Sequence, residues 1–421
     1  MLNNAIGSMI TMDFTHSERA QDLLQRLTQF HEQEVAPAEE PYLRELMDRD
    51  DPWVVLPVIE ELKAKAKALG LWNLFLPDPT LGAGLKNVEY APLAEQMGRS
   101  IIASEISNCN APDTGNMEVL HLFGSDAQKD RWLTPLLAGE IRSAFCMTEP
   151  GVASSDATNM EARAEIDGDE VVLNGRKWWS TGIGHPNCEV LIYMALTDPD
   201  ADKYHRHSMV LVPRDAPGVQ VERMLPAMNF LDAPGGHGEV SFTDVRLPVE
   251  NIIGGPGQAF TIAQARLGPG RVHHCMRLIG LAEMALELAC KRGTSRIAFG
   301  KPIANLGGNR ERIADARIAI NQARLLVLQA AWMIDTHHPD MLNAVSQIKV
   351  AVPNMAQQVI DMAIQLHGGG GMSNDFPLAG AWAVARALRL ADGPDEVHRG
   401  VIARLELAKY GAGKWSPPAK A

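Results

Sequence analysis

From residue 16 to about 140, apolar side chains recur at helical spacing: Ala20, Leu23, Leu24 and Leu27 in one stretch, Ile59, Leu62, Ala66 and Leu69 in another. This is the repeat of helices with one buried face. Gly70 and the Pro- and Gly-containing 77–84 segment interrupt it, and Asp126 ahead of AQKDRWLTPLLAG reads as a helix N-cap with Gly139 at the stop. From about 141 the period changes. EARAEIDGDEVVLNGRKWWSTG alternates short β-favouring runs with Asp167-Gly168 and Asn174-Gly175, dipeptides suited to tight hairpins. Further strands are predicted at 190–196, 208–213, 219–224 and 238–245, an antiparallel barrel or sandwich ending near Ile253. After Gly257 long helical repeats return at 272–292, about 311–336, 340–366 and 381–390, joined by GKPIANLGGN and HGGGGMSNDFP, which predicts a bundle. The fold class is α+β: an N-terminal α-helical domain over 1–140, a middle β-barrel or sandwich domain over 141–255 and a C-terminal four-helix bundle over 256–421. The tail SPPAKA is expected to fray.

A chain of 421 residues exceeds what one core usually supports, which suits several core-forming units. Hydrophobic residues at 46% and charged ones at 21% are ordinary for a globular protein rather than a disordered or membrane chain. No run approaches the ~18–20 apolar residues of a membrane-spanning helix, so no membrane insertion is expected. The opening MLNNAIGSMITMDF lacks a basic n-region and does not read as an export signal, which places the protein in the cytoplasm. A net charge of -12 argues against a nucleic-acid partner. Cys109, Cys146, Cys188, Cys275 and Cys290 are odd in number and widely spaced, as suits reduced thiols. The chain has no phosphate-loop, strand-linked dinucleotide or H-E-x-x-H pattern, and the adjacent pairs His273-His274 and His337-His338 diverge on a helix; no metal is expected.

The segment FCMTEPGVASSDAT (145–158) resembles the signature of the acyl-CoA dehydrogenase family, with a spacing one residue longer than the commonest form. NGRKWWSTG (174–182), SRIAFGKPI (295–303), QLHGGGG (365–371) and RLADGPDEVHRG (389–400) follow in the family's order. The resemblance covers roughly residues 15–410, and the family's helix–sheet–helix plan agrees with the one read from periodicity. GRVHHCMRLIGLAE, IADARIAI and RLADGPDEVH are similar to the subgroup of human family members ten and eleven.

The resemblance implies FAD-dependent α,β-desaturation of an acyl-CoA thioester: a carboxylate takes the α-proton while the β-hydride goes to the flavin. The base must lie across the acyl chain from the flavin, within reach of that proton. Where the family commonly has Glu followed by Gly, this chain has Asp392, one methylene shorter. Taken alone, Asp392 reads as a cap of a 394–409 helix; the resemblance favours the base, with Asp395 and Glu396 as neighbouring alternatives. Arg271 matches an arginine near base and acyl pocket, and reads equally as a helix-surface cation. His274 and Arg277, about one turn further, are candidates to line the pocket.

For FAD, the resemblance implies Met147, Thr148 and Ser155 at the ring's polar edge, with Trp179 and Thr181 from the following strand. Trp178 and Trp179 cannot both face inward if strand alternation holds. Arg296 and Phe299 match a contribution to the pyrophosphate from a neighbouring subunit, and Gln365, Gly368 and Gly369 one near the adenosine. Gly307 replaces a glutamine common in the family. A homodimer or homotetramer, fatty acid metabolism and electron-transfer flavoprotein as acceptor are further implications, as is a 4-phospho- or 4-hydroxyacyl-CoA substrate from the subgroup. A flavin-dependent oxidase or monooxygenase on the same fold is the alternative activity, and a non-catalytic flavin-binding scaffold a third.

Overall fold

A computed structural model describes residues 12–411, apart from the side chains of 266–269. Most of the opening segment read for an export signal, and the SPPAKA tail, lie outside the described residues. The first third is helical: α1 Glu18–Phe30, α2 Ala36–Met47, α3 Pro57–Ala68, α4 Asn87–Met97 and α5 Asp113–Phe123. Ser17 starts α1 by accepting from the Ala20 N–H at 3.2 Å, and Leu23, Leu27, Ile59, Leu62 and Ala66 are buried as their spacing predicts. Leu69 is exposed, because α3 has ended and Gly70 turns the chain at φ +66°. The next helical turn is capped one residue earlier than Asp126. The Ser125 hydroxyl accepts from the Gln128 N–H at 3.3 Å while the Gln128 side chain accepts from the Ser125 N–H at 3.0 Å, a reciprocal pair that Asp126 is not placed to make.

Seven strands follow: β1 Arg142–Cys146, β2 Arg163–Asp167, β3 Glu170–Thr181, β4 Cys188–Leu196, β5 His207–Pro213, β6 Val219–Met224 and β7 His237–Pro248. Their order is β1-β4-β2-β3-β7-β6, with β5 beside β4. The sheet is mixed rather than antiparallel throughout, since β4 runs parallel to β1 and β2. Long intervening chain permits those parallel pairings where a tight hairpin would not. Gly168 turns the β2–β3 hairpin as expected. Asn174-Gly175 does not turn; β3 passes through it with a register shift against β7. A Cβ on Gly175 would lie 2.6 Å from that of Ala162 and 2.9 Å from the Tyr193 hydroxyl, so this glycine serves close packing in a bulge.

Strand β4 ties sheet to helices by plain alternation. Leu191, Tyr193 and Ala195 enter the core of the β region, whereas Val190, Ile192 and Met194 join the helical core that runs from α1 into the C-terminal helices. Those helices are α6 Ala259–Ser295, α7 Asn309–Asp335, α8 Met341–His367, α9 Leu378–Ala387 and α10 Asp395–Ala408. Beyond α6 a two-residue hairpin, Ile297–Ala298 against Lys301–Pro302, projects from the bundle. Among the described residues no helix is long and apolar enough to cross a membrane.

Candidate active site

Asp392 occupies the turn between α9 and α10 in a left-handed conformation, φ +55°, followed by Gly393 at φ +103°. A non-glycine residue there is costly unless its surroundings hold it. Three cationic or imidazole side chains do so through main-chain carbonyls. Lys349 of α8, buried, donates to the carbonyls of Leu388 at 2.7 Å and Ala391 at 2.8 Å. Arg271 of α6 donates from Nε to the Asp392 carbonyl at 3.0 Å, and His398 Nε2 lies 3.3 Å from the same oxygen. Gly393 at φ +103° has a backbone that L side chains rarely adopt, and a Cβ there would also come 2.9 Å from His398 Nε2. Burial lowers the Arg271 and Lys349 pKa values, and the Asp392 charge works against that lowering at both.

The Asp392 side chain is 19% exposed and points back at α6: Oδ2 lies 3.5 Å from His274 Nε2 and 3.8 Å from where a Cβ on Gly270 would be. Gly270 thus leaves open the space beside the carboxylate. The helix-cap reading of Asp392 fails, because α10 begins at Asp395 with Pro394 as N-cap and no side-chain cap bond. The neighbouring carboxylates are placed differently. Asp395 is buried, accepting from Arg389 Nε at 3.0 Å and Asn354 Nδ2 at 3.1 Å, whereas Glu396 is exposed.

Four of the flavin-edge candidates, Met147, Thr148, Trp179 and Thr181, lie on or beside β3. Lys177, fully buried, donates from Nζ to the Met147 carbonyl at 3.0 Å, to the Met194 carbonyl at 2.6 Å and to Glu149 Oε1 at 2.7 Å. The Thr148 carbonyl accepts from the Trp178 N–H at 2.9 Å. Ser155 is exposed on the loop that follows. Thr181 Oγ1 lies 2.9 Å from His237 Nδ1, and the Trp179 ring lies 5.5 Å from the His237 ring.

Alternation does not decide between the two tryptophans. A register shift between Lys177 and Ser180, with Trp179 at φ +55°, puts the two indole centroids 6.4 Å apart. Trp178 has its Nε1 buried and Trp179 is 41% exposed. A flat apolar surface at a strained turn, near the Thr181 hydroxyl, fits the requirement of a flavin ring for an apolar wall and a fixed polar group.

The remaining candidates lie at the other end of α6, separated from Arg271 by 24 residues of helix, roughly 36 Å at 1.5 Å per residue. Arg296 is exposed, Phe299 is 94% exposed at φ +50°, and Gln365 is exposed on the last turn of α8. Gly368 and Gly369 face open space. The ends of α6 and α8 meet through Phe376, whose ring lies 5.8 Å from the Arg292 guanidinium and 4.5 Å from the His367 ring. These five residues therefore form one group, distant along α6 from the Asp392 turn.

His274, read only as a pocket-lining candidate, stands against Asp392. The signal was its place three residues after Arg271 and three before Arg277, on one helix face. Its partner in the 392 turn is more than a hundred residues away, which spacing alone does not reveal.

Three family descriptions match in succession: acyl-CoA dehydrogenase N-terminal domain over 17–140, middle domain over 144–245 and C-terminal domain over 257–407. The chain is 53% identical over 96% of its length to acyl-CoA dehydrogenase family member 10 of Mus musculus, and spans only 38% of that protein. It is 51% identical to family member 11 of Gallus gallus, spanning about half (51%) of it, and 51% identical to FadE2 of Mycobacterium tuberculosis, spanning 98%. These last two cover 94% of the chain. A solved structure from Mycobacterium abscessus is 68% identical with a TM-score of 0.92, over 94% of this chain and all of the other. Butyryl-CoA dehydrogenase of Megasphaera elsdenii is 27% identical with a TM-score of 0.79, at the same coverage. The chain therefore belongs to the acyl-CoA dehydrogenase family of FAD-dependent oxidoreductases.

Proposed function

We propose that this chain is an FAD-dependent acyl-CoA dehydrogenase, divided into domains near 140 and 255, that converts an acyl-CoA to a 2-enoyl-CoA with Asp392 as the base. The observation that carries this reading is the Asp392 turn: a partly exposed carboxylate on a left-handed residue, fixed by Lys349, Arg271 and His398 through backbone oxygens. Such fixing sets where the carboxylate stands, with its Oδ2 3.5 Å from His274 Nε2. Asp392 takes the α-proton, and the electron pair of that bond, delocalised in part onto the thioester carbonyl, becomes the Cα=Cβ double bond as the β-hydride leaves. Arg271, by holding the Asp392 carbonyl, sets where the carboxylate stands. Bound FAD would accept the β-hydride. Met147, Thr148, Ser155, Trp179 and Thr181 would hold its ring.

Arg296, Phe299, Gln365, Gly368 and Gly369 are too far along α6 to complete the same site, so they serve the flavin of a neighbouring copy. The working unit is a homodimer or homotetramer. Electron-transfer flavoprotein reoxidises the enzyme, which acts in the cytoplasm in fatty acid metabolism. A 4-phospho- or 4-hydroxyacyl-CoA as substrate rests on the similarity to family members 10 and 11.

The test is anaerobic titration of the purified holoprotein with butyryl-, octanoyl- and palmitoyl-CoA and with a 4-phosphoacyl-CoA. At least one is expected to bleach the flavin, and phosphate release with the last would establish the finer reading. Absence of bleaching by any thioester would overturn the dehydrogenase. Hydrogen peroxide formed stoichiometrically in air would turn the reading toward an oxidase.

A further inference from the structure

Beyond the base, the contacts of α6 define a second group that acts on it. Arg277 Nη2 lies 3.1 Å from His274 Nδ1, and Arg277 Nη1 donates to the Cys109 carbonyl at 3.3 Å. A guanidinium has five N–H donors and no acceptor, so the bond to Nδ1 exists only if Nδ1 is unprotonated. The imidazole proton is then on Nε2, the nitrogen facing Asp392 Oδ2 at 3.5 Å. At 3.5 Å this is an ion-pair contact longer than a good hydrogen bond, and an Nε2–H drawn onto that carboxylate oxygen favours its ionised form. A long contact of this kind is typical of a site awaiting substrate.

We propose that His274, its tautomer fixed by Arg277, is a positioning residue for Asp392: it holds Oδ2 and keeps the carboxylate ionised and aimed for proton abstraction. This rests on the reading of Asp392 as the base. Among the described residues, the charged or titratable groups near the pair are Arg271, His273, Cys275 and Arg277 of α6, Lys349 of α8, and Asp395 and His398 of α10. All of them remain when His274 alone is changed. His273 points elsewhere, edge-on to Tyr90 with centroids 4.8 Å apart, and does not substitute for its neighbour.

The experiment compares wild type, His274→Phe, His274→Gln and Asp392→Asn as FAD-loaded holoenzymes, measuring kcat/KM against pH with whichever of butyryl-, octanoyl- or palmitoyl-CoA the wild type turns over fastest. In His274→Phe the acid limb is expected to move up by about one pH unit, the size of one modest charge-directed hydrogen bond, with kcat reduced about tenfold and KM within about twofold. His274→Gln, whose Nε2 can still donate to Oδ2, is expected to keep the wild-type limb. A purely packing role would lower stability without moving the limb. Should His274→Phe fail to fold, His274→Asn, too short to reach Oδ2, is expected to show the same shift.

An unshifted limb in His274→Phe or His274→Asn, or an equal shift in His274→Gln, would overturn the proposal. The two readings separate cleanly. If Asp392→Asn is inactive while the His274 variants are normal, only the positioning role falls; if Asp392→Asn retains wild-type turnover, the base assignment falls and the positioning role with it.

Discussion

At the Arg271 end of α6 the carbonyls of Leu388, Ala391 and Asp392 are held by side chains of the same chain, whereas at the Ser295 end Arg296 and Phe299 stand exposed. Both ends carry residues that the resemblance singled out. The first is complete as a structural unit and owes its strained turn to buried hydrogen bonds, which are costly to lose. The second presents an aromatic ring, an arginine and open glycines with little of the chain around them. Under the proposed function, the chemistry falls to the rigid half and part of the cofactor grip to the exposed half.

The largest effect expected from breaking this contrast is at Lys349. Lys349→Met would leave the Leu388 and Ala391 carbonyls without their donor and is expected to cost about 2–4 kcal/mol in urea denaturation, with loss of flavin bleaching by substrate. A cost below about 1 kcal/mol would mean the turn does not depend on it.

A smaller effect follows from His398. Burial is the largest cause lowering its pKa, from 6.5 to about 4, with Arg271 acting the same way. Its neutral form is thus the folded one, and the stability it contributes is present above about pH 6.5 and lost as pH falls toward 4. Between about pH 7 and pH 4.5 the wild type is expected to lose about 1–2 kcal/mol more than His398→Gln, measured as the denaturation midpoint at each pH. His185 and His273, lowered to about 4 and about 3, act in the same direction but are common to both proteins.

The smallest effect on folding belongs to the open end. Phe299→Ser is expected to change stability by no more than about 0.5 kcal/mol, as for exposed positions generally. The same variant should bind FAD about tenfold more weakly in equilibrium dialysis. A large loss of stability with unchanged FAD affinity would reverse the contrast between the two ends.

What the sequence disclosed followed the physics of each signal. The helical repeats at Leu23, Leu27, Ile59 and Leu62 and the strand at 219–224 were legible because burial on one face imposes a period on local sequence. Asn174-Gly175 misled because the dipeptide that allows a hairpin also allows a bulge, and only the approach of Ala162 and Tyr193 selects between them. Ser125 was passed over for Asp126 since both are good caps and the reciprocal bond from Gln128 decides. The parallel pairing of β4 was invisible because strand order is set by partners distant in the chain. At the site, the resemblance singled out Asp392 and Arg271, yet the bond from Arg271 to the Asp392 backbone and the approach of His274 join positions more than a hundred residues apart.

The most direct test of the account is anaerobic single-turnover reduction of the bound flavin by an acyl-CoA that bleaches the wild type, followed by stopped-flow absorbance in wild type and Asp392→Asn. An amide is nearly the same size as the carboxylate but cannot accept the α-proton, so the variant should retain FAD and bind the thioester while flavin reduction slows by about a thousandfold or more. Reduction at the wild-type rate in Asp392→Asn would show that the proton leaves by another route.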